Sequence, residues 1–407
     1  MRTLILALAL SVAPSAFAQS TFIDDATIVT ESGQSTGDVI ISANGSIRVG
    51  ANLSAPSGAN VISGNDLWVT PGLFAPFSHV GLVDIGAEAA TNDTRAGDAR
   101  SSISNRSSDA FNPKAVSVGN SRVEGLTHLA TVPGGSGNIF AGTGAIVNTS
   151  GGFDSVIDDE AFIYVRLGEG GADAAGGSRS AAMTQLREAF DDAQAVSGSS
   201  DADFGNLLTR RDAQQLRKAL NGQIPMVISA NRAMDILRIV ALQDDYPQLD
   251  IIILGATEAW QVADELVAAD IKVMIDPHRN LPESFESVGA RLDNANILDA
   301  AGVDYAFTTA SADLTHNVRV LAQHAGNAVG EGLEWNKAFA AISTTPRDWF
   351  GLNDDSLVVW VGDPLEVTSQ PLAMFIDGEE IALTSRQTAL RDRYNPATDD
   401  TRPHKYR

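Results

Sequence analysis

Polar and apolar positions alternate in short runs at both ends of this chain, and longer apolar runs lie between them. Thr27–Thr30, Asp38–Ser42 and Ser46–Val49 read as short strands, and Asn44-Gly45 between the last two is a strong hairpin signal. A similar fragment closes the chain: Ser356–Val361, a Gly362-Asp363-Pro364 turn, then Ala373–Ile376 and Ile381–Leu383 around Asp377-Gly378. Neither fragment is large enough to bury a face alone, so the two are expected to complete one another. Two unrelated hairpins are the alternative.

The central pattern is of apolar strands followed by amphipathic helices, which predicts βα units around a parallel sheet. The stretch Trp68 to Gly86, WVTPGLFAPFSHVGLVDIG, turns at Pro71-Gly72 and delivers Phe77, Ser78 and His79 to the open end of a strand. Leu126–Val132 and Ala161–Leu167 are further strand candidates. Ser178–Ala195 reads as a helix with Met183, Leu186, Phe190 and Ala193 on one face, and a second helix, Asp212–Leu220, stops at Asn221-Gly222. Next come strand Met226–Ser229, helix Arg232–Leu242, strand Ile251–Leu254, helix Ala259–Ala268 and strands Lys272–Ile275 and Tyr305–Thr308. This pace fits the second half of a TIM-like (β/α)8 barrel, in the α/β class. An open doubly wound sheet competes, but its dinucleotide fingerprint is absent from the first βα turn. Ala87–Ser108 is a polar loop over the barrel mouth, Ser197–Asp203 is a linker, and the tail 391–407 is polar.

Composition narrows the function classes. The 51 acidic residues against 28 basic ones give a net charge of -23, which excludes nucleic acid and anionic membrane surfaces as partners. Residues 1–18 read as a secretory signal peptide: Arg2, an apolar Leu4–Val12 and Ala16-Phe17-Ala18 before the cleavage point. The expected location is therefore periplasmic or secreted, with an uncleaved N-terminal anchor as the alternative. No later stretch offers a stable membrane span of about 18 apolar residues. The chain has no cysteine, so its core must hold the fold without disulfides.

The stretch Trp68 to Gly86 resembles the first-strand motif of the amidohydrolase superfamily. Further segments are similar to its imidazolonepropionase-like exported branch: Pro133–Asn138, Gly177–Arg179, Asn280–Phe285, Ala290–Ala295 and Gly362–Glu366. The resemblance covers nearly the whole mature chain. It implies a barrel over residues 67–354 and a small composite β-sandwich from 19–66 and 355–390. It also implies hydrolysis of non-peptide C–N bonds, in amides or cyclic amides, with a divalent metal such as zinc.

The ligands that the resemblance calls for are mostly replaced. In the first motif Ala75 stands at the aspartate position, Phe77 at the first histidine and His79 at the second. Ser229 stands at the end of the fifth barrel strand, Gly255, Ala256 and Thr257 at the sixth, and Thr309 and Ala310 at the eighth. A catalytic zinc takes three protein ligands and a water, so His79, as a lone remnant, cannot hold one. The expectation is a degenerate metal site with no cofactor, unless new ligands have arisen.

Glu258, Asp276, His278 and Asp313 all follow barrel strands and supply candidates. Asp276 with His278 would make a metal-free acid/base pair, and Glu258 is a third catalytic candidate; helix capping and local loop bonds are the alternative roles. Asn138 and Ser229 are candidate substrate contacts. Gly-rich Pro133–Gly144 carries no phosphate-loop pattern and reads as a tight loop over the mouth, where the amides of Ser136–Asn138 suit a substrate carboxylate. His128 reads as a packed strand residue, while His316, His324 and His404 carry no site signal. Two function classes stand: a hydrolase of the amidohydrolase type, or a non-catalytic protein that binds a small molecule. In the second class it acts alone, as a homo-oligomer, or paired with an active paralogue.

Overall fold

The computed structural model describes residues 20–30, 33–43, 46–96, 99, 102–135, 137–196, 207–310, 313–353 and 355–394. The signal-peptide segment, the Asn44-Gly45 turn, Ser136, the 197–203 linker, His404 and the tail beyond 394 lie outside these residues.

The N-terminal strands are β1 (Thr21–Thr30), β2 (Gly33–Ile41), β3 (Ile47–Gly50), β4 (Asn60–Ser63) and β5 (Leu67–Pro71). β1 carries a bulge between Ile23 and Ala26, with Asp25 at φ 59. The bulge keeps Ile23, Ala26 and Ile28 on one buried face. Asp38 of β2 secures it, accepting the Asp25 N–H at 3.1 Å and the Leu53 N–H at 2.7 Å.

Eight strands then form the barrel: β6 (Leu73–Ser78), β7 (Leu126–Thr131), β8 (Phe140–Asn148), β9 (Val156–Arg166), β10 (Met226–Ala230), β11 (Ile251–Gly255), β12 (Lys272–Ile275) and β13 (Tyr305–Phe307). They pair in chain order. β8 runs antiparallel to both neighbours, and every other pairing is parallel. The segment 133–144 is therefore not one loop over the mouth: from Phe140 onward it is strand, and all nine residues of β8 are buried. Its glycines serve packing, since a Cβ on Gly144 would fall inside the ring of Phe162.

The connections carry α1 (Val116–Arg122), α2 (Gly168–Ala174), α3 (Arg179–Ala195), α4 (Arg210–Leu220), α5 (Ala233–Val240), α6 (Leu242–Asp245), α7 (Ala263–Ala268), α8 (Asn294–Ala301), α9 (Leu321–Gly330), α10 (Trp335–Ala340) and α11 (Thr344–Trp349). Leu186 and Phe190 of α3, Leu216 of α4, Ile236 and Ile239 of α5, Leu266 of α7 and Leu298 of α8 bury against the outward side chains of the barrel. The interior holds Phe74, Phe77, Phe162, Tyr164, Leu254 and Met274, and Phe350 packs against Phe162 with ring centroids 5.3 Å apart.

β6 and β13 close the barrel through an intermediary. The Phe307 N–H donates to Ala341 O at 2.9 Å and the Phe74 N–H to Ile342 O at 2.8 Å, so the segment before α11 fills the seam. Arg347 of α11 adds bonds to Gly72 O at 3.1 Å and Thr127 Oγ1 at 3.0 Å.

The chain ends with β14 (Leu357–Val361), β15 (Gln370–Ile376), β16 (Glu379–Glu380) and α12 (Arg386–Tyr394). β14 pairs antiparallel with β5, which joins both ends in one sheet of order β16-β15-β14-β5-β1-β2-β3, with β4 also on β1. Hydrogen bonding thus joins the two end fragments in one sheet, as expected of fragments that complete one another. β5, assigned to the barrel from sequence, belongs to this sheet, and the barrel begins after Gly72. Ile381–Leu383, expected as strand, follows the short β16 as irregular chain.

Candidate functional site

His79 leaves the C-terminal end of β6, where the alternation of the strand gives way to a loop. Its Nδ1 lies 2.7 Å from Val132 O, and its backbone N–H donates to Leu314 O at 2.7 Å. A carbonyl only accepts, so Nδ1 carries the proton of the neutral ring and Nε2 is left as an acceptor beside Gly134. Burial pushes the His79 pKa down, against the Val132 carbonyl and Asp313, which favour the cation. An unfolded histidine begins to charge below about pH 6.5. The stability that His79 contributes is therefore present above that pH and is lost as pH falls from there toward the lower folded value. His79→Gln is expected to flatten the fall in denaturation midpoint between about pH 6.5 and 5. An unchanged slope in the variant would contradict this reading.

His79 opens into a cavity of about 360 Å³ at the mouth, whose lining includes Asn92, Thr94, Arg95, Arg166, Asp313, Thr315 and His316. These come from the loop after β6, the end of β9 and the loop after β13, all at the end of the barrel that carries chemistry in this architecture. Asp313 accepts the Thr315 N–H at 2.6 Å, which fixes the last loop. Arg166 donates to Gly170 O at 3.2 Å. Neither Arg95 nor Arg166 has a carboxylate partner among the described residues.

Below the cavity the positions of the missing ligands are filled. Phe77 is buried and meets Tyr164 edge-on, with centroids 4.9 Å apart. Tyr164 shares a hydrogen bond with Ser229, and burial raises the pKa of its phenol. Thr257 Oγ1 donates to Asn231 Oδ1 at 2.7 Å. Thr308 and Thr309, just past β13, are buried with no hydrogen-bond partner for either hydroxyl among the described residues.

The other sequence candidates are drawn into separate contacts. Glu258 accepts the Ala233 N–H at 2.9 Å, and so caps the start of α5. Asp276 accepts the His278 backbone N–H at 3.0 Å, but its side-chain partner is His324 of α9, with Nδ1 at 2.9 Å. His278 is exposed, its Nδ1 3.2 Å from Asn327 Nδ2. Asn138 Oδ1 accepts the Phe140 N–H at 3.0 Å, and the Gly134 and Gly135 amides donate to Thr94 O at 2.9 and 3.2 Å. Backbone amides of 134–135 are thus already engaged, and Ser136 lies outside the described residues.

A divalent ion of the catalytic type needs about three converging donors. Among the described residues, the one group of three or more histidine or carboxylate donors within 4.8 Å of one another is Asp24, Asp25 and Asp38, at the β1 bulge in the other sheet. There Asp38 already accepts two backbone N–H groups. Among the described residues the mouth donors His79, Asp313 and His316 form no such group, so this donor set does not fit that ion. No described helix is long and apolar enough to cross a membrane.

Solved structures share this architecture. An amidohydrolase from Thermotoga maritima MSB8 superposes with TM-score 0.78 at 21% identity, covering 89% of this chain and 99% of its own. A prolidase complexed with n-methylphosphonate-l-proline gives TM-score 0.52 at 14% identity, over 89% and 99%. Molinate hydrolase gives 0.51 at 12% identity, over 90% and 95%. At identities this low the likeness shows a shared barrel fold alone. No protein-family model matches the chain, and no curated protein matches it.

Proposed function

We propose that the barrel mouth binds a small carboxylate-bearing molecule of amide type, in an exported protein that keeps the amidohydrolase barrel without catalytic metal. The observation that carries this reading is the cavity beside His79, where Arg95 and Arg166 have no carboxylate partner among the described residues, in a chain of net charge -23. Guanidinium groups suit a carboxylate, to which they donate in pairs. Phe77 stands packed in the apolar barrel interior where the family pattern has a histidine, which removes a metal ligand. Within the fold we assign the chain to the imidazolonepropionase-like exported branch, with residence in the periplasm. We also take the sheet of both chain ends to fold over as a sandwich, because its inner cluster contains no residue from another element.

Metal analysis of the purified protein tests the reading. After dialysis it is expected to retain below about 0.1 equivalent of zinc, manganese or nickel, since a proper site binds such ions tightly. Retention above about half an equivalent, lost in His79→Ala, would overturn it.

A second reading is metal-free hydrolysis, favoured by the unprotonated Nε2 of His79 in the same cavity as Asp313. Release of amine from N-acetylglycine by the metal-free protein, abolished in His79→Ala, would establish it over simple binding.

A further inference from the structure

A second cavity lies away from the mouth, in the helix layer between α3 and α5, with a volume of about 410 Å³. That lies within the roughly 300–1,000 Å³ typical of small-ligand sites. Helical spacing builds its walls. Arg179, Met183 and Arg187 follow one another at four-residue steps along α3, and Met234 and Arg238 do the same on α5. Leu167, buried just past β9, belongs to the apolar lining.

The three arginines are not equivalent. Arg179 is held by Asp235 at 3.1 Å and Glu286 at 2.7 Å, so its charge is met within the protein. Among the described residues Arg187 and Arg238 form no ion pair, and both line the groove together with Asp235, which Arg179 already engages. An anionic headgroup there meets guanidinium groups whose charge no described carboxylate has taken. Met234, half exposed at 50%, and Met183 offer flexible apolar surface beside that charge, which suits a ligand with a hydrocarbon body.

We propose that this groove binds an amphipathic monocarboxylate, its head between Arg187 and Arg238 and its chain along Met183, Met234 and Leu167. The groove uses none of the mouth arginines, though its Leu167 directly follows Arg166, the last residue of β9.

Decanoate, kept below its micellar concentration, is the probe, titrated calorimetrically into the full mature protein. One site sensitive to the groove arginines is expected, with inorganic phosphate and decyltrimethylammonium each binding there at least about tenfold more weakly, because the head and the chain both contribute. Arg187→Ala and Arg238→Ala should each weaken decanoate about tenfold, as expected for loss of a charge-assisted bond. Met234→Asp should weaken it similarly, Arg187→Lys should retain most of the affinity, and Arg166→Ala should leave it within about twofold. These arginines are exposed, so circular dichroism of each variant is expected to match the parent. Absence of decanoate binding, equal affinity for phosphate, loss of affinity in Arg166→Ala, or indifference to both groove substitutions would each overturn the proposal.

Discussion

Removing both mouth guanidinium groups, in Arg95→Ala with Arg166→Ala, is expected to weaken binding of N-acetylglycine by about a hundredfold. Each charge-assisted hydrogen bond contributes about 1.5–3 kcal/mol, or tenfold and more, and the two arginines reach the cavity from different elements. Calorimetric titration measures the loss. The neutral amide of the same ligand should bind the parent protein about as weakly as the acid binds the double variant. If the amide binds the parent as tightly as the acid does, the arginines do not read a carboxylate and the functional assignment fails. Secondary structure should be unaffected, because neither side chain holds an ion pair that folding depends on.

Phe162→Ala is expected to cost about 3–5 kcal/mol of stability. Phe162 is fully buried, packs on Phe350 and occupies the space left by Gly144 on the neighbouring strand. Truncation leaves a void in the middle of the barrel, which the surrounding strands cannot collapse to fill. Gly144→Ala alone should cost about 1–3 kcal/mol by forcing a methyl into the ring. In the Phe162→Ala background the same methyl enters the void, so its penalty should shrink or change sign. Guanidinium midpoints of the four proteins measure the cycle, and strictly additive losses would show that the two positions do not share this space.

The second half of the barrel was legible because parallel strands buried on both faces are continuous apolar runs. Ile251–Gly255 and Lys272–Ile275 announce themselves in this way. β8 was not, because glycine, alanine and threonine fill five of the nine buried positions of FAGTGAIVN, and Gly144 is there to make room for Phe162. The joining of the chain ends could be read, since half-sheets need partners, but the single hydrogen-bonded sheet depends on β5, whose run is continuous with that of β6. His79 was visible through its motif. Arg166 was hidden, since one charge at the end of FIYVR says nothing about whether a partner waits for it. His324 escaped for a similar reason: the carboxylate it bonds is 48 residues away, and only folding brings α9 to Asp276.

The seam of the barrel bears on how the protein is made. Ser343 bonds Gly72 across 271 residues of sequence, and the carbonyls of Ala341 and Ile342 bridge the first and eighth strands. A nascent chain that has not yet released this segment from the ribosome has an open cylinder with two bare strand edges, and such edges invite misassembly. Closure of the cylinder must therefore wait until residues 341–347 have emerged.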